Sequence, residues 1–211
     1  MLCMKRPVFL EKMMQYLDKI LKLVKKGRIK TKYSHYNLVY RRLKQFIFSV
    51  DCSGLLEFWL SKEHPYALAE IYDYVYQQRP VAKDEIKRLY SFDFYDFFCA
   101  VKERPCCCWQ EVNIAETLQR GDIIAFINPK RAGRFGHVAI VDEEIKRNKS
   151  KIVIKVIDSS AVEHMSDYRQ SNKKGIGHGI IELYLQKNAV VSISFHPGQV
   201  KPRLVRIVRL R

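Results

Sequence analysis

Acidic residues are scarce in this chain. Asp and Glu number 22 against 38 Lys and Arg, so over 211 residues the formal net charge is +16. Such a surplus points to anionic surroundings or partners, whether nucleic acid, acidic lipid or a polyanionic wall polymer. Long apolar runs are missing too, and without one no segment spans a bilayer. The opening Met1-Leu2-Cys3-Met4-Lys5-Arg6-Pro7 is not followed by the unbroken apolar core of a secretory signal. The expectation is a cytoplasmic protein with no integral membrane segment, non-classical export being left open. The six cysteines show no paired spacing. Cys106, Cys107 and Cys108 are adjacent, which suits neither a disulfide framework nor a Cys-x-x-Cys zinc site and fits a reduced chain. His35, His64, His178 and His196 lack ligand-like spacing, so neither a metal nor a cofactor is expected. There is no internal repeat, and Gly133 to Gly136 is too sparse for a phosphate-binding loop.

What is present suits a packed domain. Hydrophobic residues make up 47% of the chain, with 12 Tyr and 11 Phe. Residues 7–26 predict an amphipathic helix, since Val8, Phe9, Met13, Leu17, Ile20, Leu21 and Val24 recur at spacings of three and four. Lys25, Lys26 and Gly27 suit its end. Packing on the domain is its first expected role; a basic face toward an anionic polymer or membrane surface is the second. Residues 35–48 predict another helix. Helices are expected again over 66–78 and 83–99, the second rich in Phe, and they form a helical insertion spanning 60–118.

From Gly121 the period changes to two. Strands are expected over 121–127, 137–141, 151–158, 179–185, 190–195 and 204–210, with a basic loop at 128–136 and a polar turn at 142–150. Helices first and an antiparallel sheet second make the expected class α+β.

One stretch carries chemistry. In Asp51-Cys52-Ser53-Gly54-Leu55-Leu56 a thiol opens an apolar helix. Unpaired N–H groups and the helix dipole there favour a thiolate. A thiol nucleophile needs a base, and the base needs an orienting group. His137 opens one expected strand and Asp158 ends the next. If the two strands form a hairpin, pairing His137 with Asp158 also pairs Ala139 with Val156 and Val141 with Ile154, all on one face. That register joins ring to carboxylate; it does not bring Cys52 to them.

Three blocks resemble, in order, the signature segments of the NlpC/P60 cysteine peptidases: Asp51-Cys52-Ser53-Gly54-Leu55, Gly121-Asp122-Ile123-Ile124-Ala125-Phe126 and Gly136-His137-Val138-Ala139-Ile140-Val141. The resemblance implies a papain-like α+β domain over 35–211, with residues 1–34 as a basic helix and connector. It implies Cys52 as nucleophile, His137 as base and Asp158 in the third position, with Ser159 and His164 as alternatives there. Asp51, Ser53, Gly136 and Ser159 would border the substrate. Tyr40 would stand in for a tyrosine that the family carries before the cysteine block. The implied reaction is cleavage of an amide bond, by default in a peptidoglycan stem peptide. Two other readings stay open: a thiol acyltransferase or deamidase acting on another protein, such as an exported effector, and a non-enzymatic basic module that binds a polyanion.

Overall fold

The computed structural model describes residues 6–42, 45–79, 85–103, 108–114, 116–130, 135–162, 164–167, 169, 174–187, 189–196 and 198–211. Of residues 6–10, 12 and 13 only the backbone is described. Cys3, Cys106, Cys107 and Gly133 lie outside the described residues.

The chain opens with helix α1 (Arg6–Lys25) and a small sheet of β1 (Ile29–Lys32), β2 (Leu38–Arg42) and β3 (Gln45–Ser49) in the order β1-β3-β2. Three helices follow: α2 (Cys52–Glu63), α3 (Pro65–Gln78) and α4 (Ser91–Val101). The large sheet comprises β4 (Trp109–Glu111), β5 (Ile123–Ile127), β6 (Gly136–Arg147), β7 (Lys151–Ser160), β8 (Gly175–Gln186), β9 (Ala189–Ser194), β10 (Lys201–Pro202) and β11 (Leu204–Leu210). Its order is β10-β9-β8-β7-β6-β5-β11-β4, and every pairing is antiparallel. The class is α+β. Among the described residues no helix is long and apolar enough to cross a membrane.

The helix expected over 35–48 is instead the β2–β3 hairpin, paired from Leu38↔Ser49 to Arg42↔Gln45. Leu38, Val39, Phe46 and Ile47 imitate a helical spacing, but β-branched and aromatic side chains fit a pleated surface better. β1 fixes the choice by pairing in parallel with β3, from Ile29↔Phe46 to Lys32↔Ser49. The helix expected over 83–99 starts at Ser91, where the Asp93 carboxylate accepts the Tyr90 N–H at 2.8 Å and closes the first turn.

Alternation along the strands divides the core into two layers. Ile123, Ala125, Val138, Ile140 and Ile157 face the helices, packing with Leu56, Trp59, Ile71, Phe94 and Phe98. Fully burying one such aliphatic or Phe side chain is worth about 1.5–3 kcal/mol. Ile124, Phe126, Ala139, Val141, Ile154, Val156, Ile181, Ile193, Val205 and Ile207 fill the other face. The sheet curls around this second layer far enough for the Arg203 N–H to reach the Val191 carbonyl at 3.2 Å. Neither end of the 60–118 stretch is an appendage. α3 and α4 share the helix-side core with α2, and β4, with its fully buried Trp109, is the last strand of the large sheet. α1 likewise contributes Met14 and Leu17 to that core.

The β6–β7 hairpin forms two residues away from the expected register. Val141 pairs with Val156 and Ile140 with Ile157. β6 also runs on to Arg147, through the segment expected as a turn, helped by two irregularities near Glu143 and Lys146. A shift of two keeps every side chain on its face, so His137 and Asp158 become diagonal neighbours rather than opposite ones.

Candidate active site

Cys52 is the first residue of α2, and Asp51 caps that helix. Asp51 Oδ1 accepts the Gly54 N–H at 2.8 Å and the Ser53 hydroxyl at 2.9 Å. Its Oδ2 takes Arg88 Nη2 at 2.6 Å and His35 Nδ1 at 2.9 Å. Burial pushes the carboxyl up, but the bonds from Arg88, Gly54 and His35 outweigh it and hold the group below its ordinary value. Asp51 and Ser53 are thus nearly sealed parts of a helix start, 3% and 2% exposed, rather than a border of the substrate. The Cys52 side chain turns inward, 6% exposed, into the helix-side core. Ser159 faces the same side and donates to the Val50 carbonyl at 2.6 Å, tying the segment before the cysteine to β7. It holds that segment and is fully buried. Tyr40 lies on the outer strand of the small sheet, 45% exposed.

On the other side of the large sheet stands a second buried carboxylate. Asp158 Oδ2 meets His137 Nε2 and, at 2.9 Å, His164 Nε2, and its Oδ1 accepts from Arg169 Nη2. Arg169 also binds the Gly175 carbonyl through Nε at 2.9 Å and pairs with Asp167. Burial pulls the guanidinium down to about 10, so it keeps its charge at neutral pH. Room for this cluster comes from Gly177 and Gly179 on β8. A Cβ there would stand 2.3 Å from Arg169 Cγ and 2.4 Å from His164 Cβ. The Asp158 carboxylate only accepts, so the His137 hydrogen is on Nε2 and a neutral ring keeps its lone pair on Nδ1. His137 packs on Phe126 and Phe195, with ring centroids 5.5 and 6.2 Å away. Gly136, just before it, permits close packing, since a Cβ would meet the Phe126 carbonyl oxygen at 2.5 Å.

His137 and His164 line a pocket of about 270 Å³ whose walls include Tyr33, Phe135 and Phe195, with Lys201 and Arg203 also on the lining. Cys52 is not on that lining. Among the described residues no hydrogen bond joins Cys52 to His137, and strand alternation sets their side chains on opposite faces of the sheet. The structure therefore brings His137 and Asp158 together and keeps the thiol behind them. Tyr33 links the two regions. It lines the His137 pocket, and its phenol is pushed up by burial and then by the nearness of Cys52 and Asp51. Tyr33, not Tyr40, is the tyrosine at this site.

A larger groove of about 790 Å³ lies between α1 and β8, bordered by Lys22, Lys25, Lys155 and His178, but among the described residues no thiol or hydroxyl paired with a base faces it. Asp122, in the second of the three sequence blocks, is fully buried and paired with Arg209 of β11 at 2.6 and 2.8 Å, which fixes β5 against its neighbour. Arg169, Asp167, Tyr33 and Phe195 escape sequence reasoning. The available signal is the pair of glycines on β8, which alternate toward the same face as Asp158. Comparison of the chain with family models, curated proteins and solved structures found no match.

Proposed function

We propose that the protein is a cysteine amide hydrolase of papain-like, NlpC/P60-type architecture. The reading rests on one observation: an imidazole held by a buried carboxylate opens on a pocket that Tyr33 connects to a cysteine at a capped helix N-terminus. His137 Nδ1 takes the Cys52 proton, and Asp158 steadies the imidazolium that results. The thiolate attacks the carbonyl carbon of the amide. The Cys52 backbone N–H, free in the first turn of α2, and the Tyr33 hydroxyl then hold the oxyanion. The C–N bond breaks as His137 returns the proton to the amine, and water hydrolyses the thioester. The mechanism requires ring and thiol to meet once substrate enters. For that the Cys52 side chain must turn out of the helix-side core toward Tyr33 and the ring.

Lys201 and Arg203 beside the pocket suit a peptide bearing carboxylates, and a peptidoglycan stem peptide has that chemistry. The test is incubation with stem peptides and with an amine acceptor, followed by mass spectrometry. Hydrolysis lost in Cys52→Ala and His137→Ala supports the reading. Transfer to the amine in preference to water moves it to an acyltransferase, and turnover retained in Cys52→Ala ends it.

The exposed face of β2 favours a second reading, a basic surface for an anionic polymer or membrane. Tyr36, Leu38, Tyr40 and Phe46 are exposed beside Arg41 and Arg42, in a chain of net charge +16. Salt-dependent binding to a polyanion that survives Cys52→Ala is its signature.

A further inference from the structure

We infer that His137, Asp158 and His164 form a binding site for a divalent transition-metal ion of the zinc class, and that the bound ion takes His137 out of its role as base. The inference rests on the proposed use of the His137–Asp158 pair but not on Cys52. One ring nitrogen of each histidine and one carboxylate oxygen all lie within 4.8 Å of one another. Ligands around a tetrahedral zinc stand about 3.3 Å apart, given bonds of about 2.0–2.1 Å, so small turns of the rings complete the set.

The hydrogen bonds of His164 point the same way. Its Nδ1 lies 3.1 Å from the Val162 carbonyl oxygen, and a carbonyl only accepts, so the hydrogen is on Nδ1. Nε2 of the neutral ring then carries a lone pair, yet it faces the Asp158 oxygen at 2.9 Å. Two acceptors at that distance need positive charge between them, either a proton or a cation. His137 Nε2 converges on the same oxygen, and one ion serves all three groups where protons must stand on both rings.

The surroundings have the form of an outer shell. Val162 fixes the tautomer of one ligand, and Arg169 holds the free oxygen of another. Phe126 and Phe195 supply a dry wall, and the pocket leaves a coordination position for water or substrate. A proton would make the group Asp158, Asp167, Arg169 and His164 neutral. A divalent ion leaves one positive charge, which a bound hydroxide or carboxylate cancels. A ring that gives Nε2 to a metal keeps its hydrogen on Nδ1, and then no lone pair remains for the thiol. Sequence spacing hides the set, because its members come from β6, β7 and the segment after β7.

Cobalt(II) added to the chelator-treated full chain tests the site, because thiolate ligands give an intense near-ultraviolet charge-transfer band that nitrogen and oxygen ligands do not. The expected result is one ion per chain, visible d–d bands and no thiolate band. The same spectrum is expected in Cys52→Ala, with affinity weakened more than about 100-fold in His164→Gln and in His137→Gln, beyond the effect of outer-shell changes. The more exposed His137 provides the variant least costly to folding. No stoichiometric binding, a thiolate spectrum, or binding unchanged in both histidine variants would overturn the inference. In the first case His164 is an imidazolium, visible by nitrogen NMR. Cys52→Ala separates the two readings: lost hydrolysis with retained cobalt binding upholds both, and retained hydrolysis ends only the thiol mechanism.

Discussion

Asp51 and Asp158 are both nearly sealed carboxylates, 3% and 1% exposed, and each is flanked by an arginine and by histidine. They differ in what their remaining bonds do. Asp51 uses one oxygen on the α2 backbone and its neighbour Ser53, and its histidine, His35, lies at the surface with a side chain 74% exposed. Asp158 uses no oxygen to close a helix. It gathers His137, His164 and Arg169, and both of these rings line a pocket. The first carboxylate fixes where a helix starts and so where Cys52 stands. The second fixes the direction of an imidazole, the base of the proposed mechanism. The same residue types thus close a helix in one place and orient rings at a pocket in the other.

The largest way to break this contrast is to remove a ring from each centre. His137→Ala is expected to lower kcat/KM on a peptide amide by about 10³-fold or more. His35→Ala, a surface change, should stay within about twofold. Equal losses would mean that the centres are not divided in this way. Stability sharpens the contrast from the other side. Arg169→Met leaves a buried charge without its guanidinium and should cost about 3–5 kcal/mol in urea unfolding. Arg88→Met should cost less, about 1–2 kcal/mol, because His35 and the backbone still serve Asp51.

Replacing the cap itself comes next. Asp51→Ala is expected to cost about 1 kcal/mol, and Asp51→Asn less, since an amide oxygen still accepts the Gly54 N–H. The smallest effect is in the pH profile. The Asp51 carboxyl is held below its unfolded value of 3.8, so its contribution is full above that value and is lost as pH falls through the folded value. Asp51→Asn should therefore flatten the acid limb of stability below about pH 4 and leave the slope of stability with pH unchanged near neutrality. A steeper limb would contradict this.

Much of the sheet was legible because period-two alternation survives a shift in register. The expected pairing of β6 and β7 was two residues off, yet it kept His137 and Asp158 on one face. The hairpin at 38–49 was not legible, because its apolar residues also fit a helix and the deciding partner, β1, pairs in parallel from a separate segment. Cys52 was legible as a helix start from Asp51 and Ser53, but the face it takes depends on how α2 packs on the sheet, which no local pattern records. Arg169 and Asp167 sit in a polar stretch that reads as loop, and only the tertiary contact with Asp158 and with Gly177 gives them a role.

The account turns on whether the base of the second centre acts on the thiol set by the first. The direct measurement is the alkylation rate of each cysteine at neutral pH by a small, mild electrophile, read by peptide mass spectrometry in the wild type and in His137→Ala. The prediction is that Cys52 reacts ahead of Cys99 and Cys108 and slows about tenfold or more in the variant. Modification of Cys99 or Cys108 first, with Cys52 untouched or with a rate indifferent to His137, would contradict it.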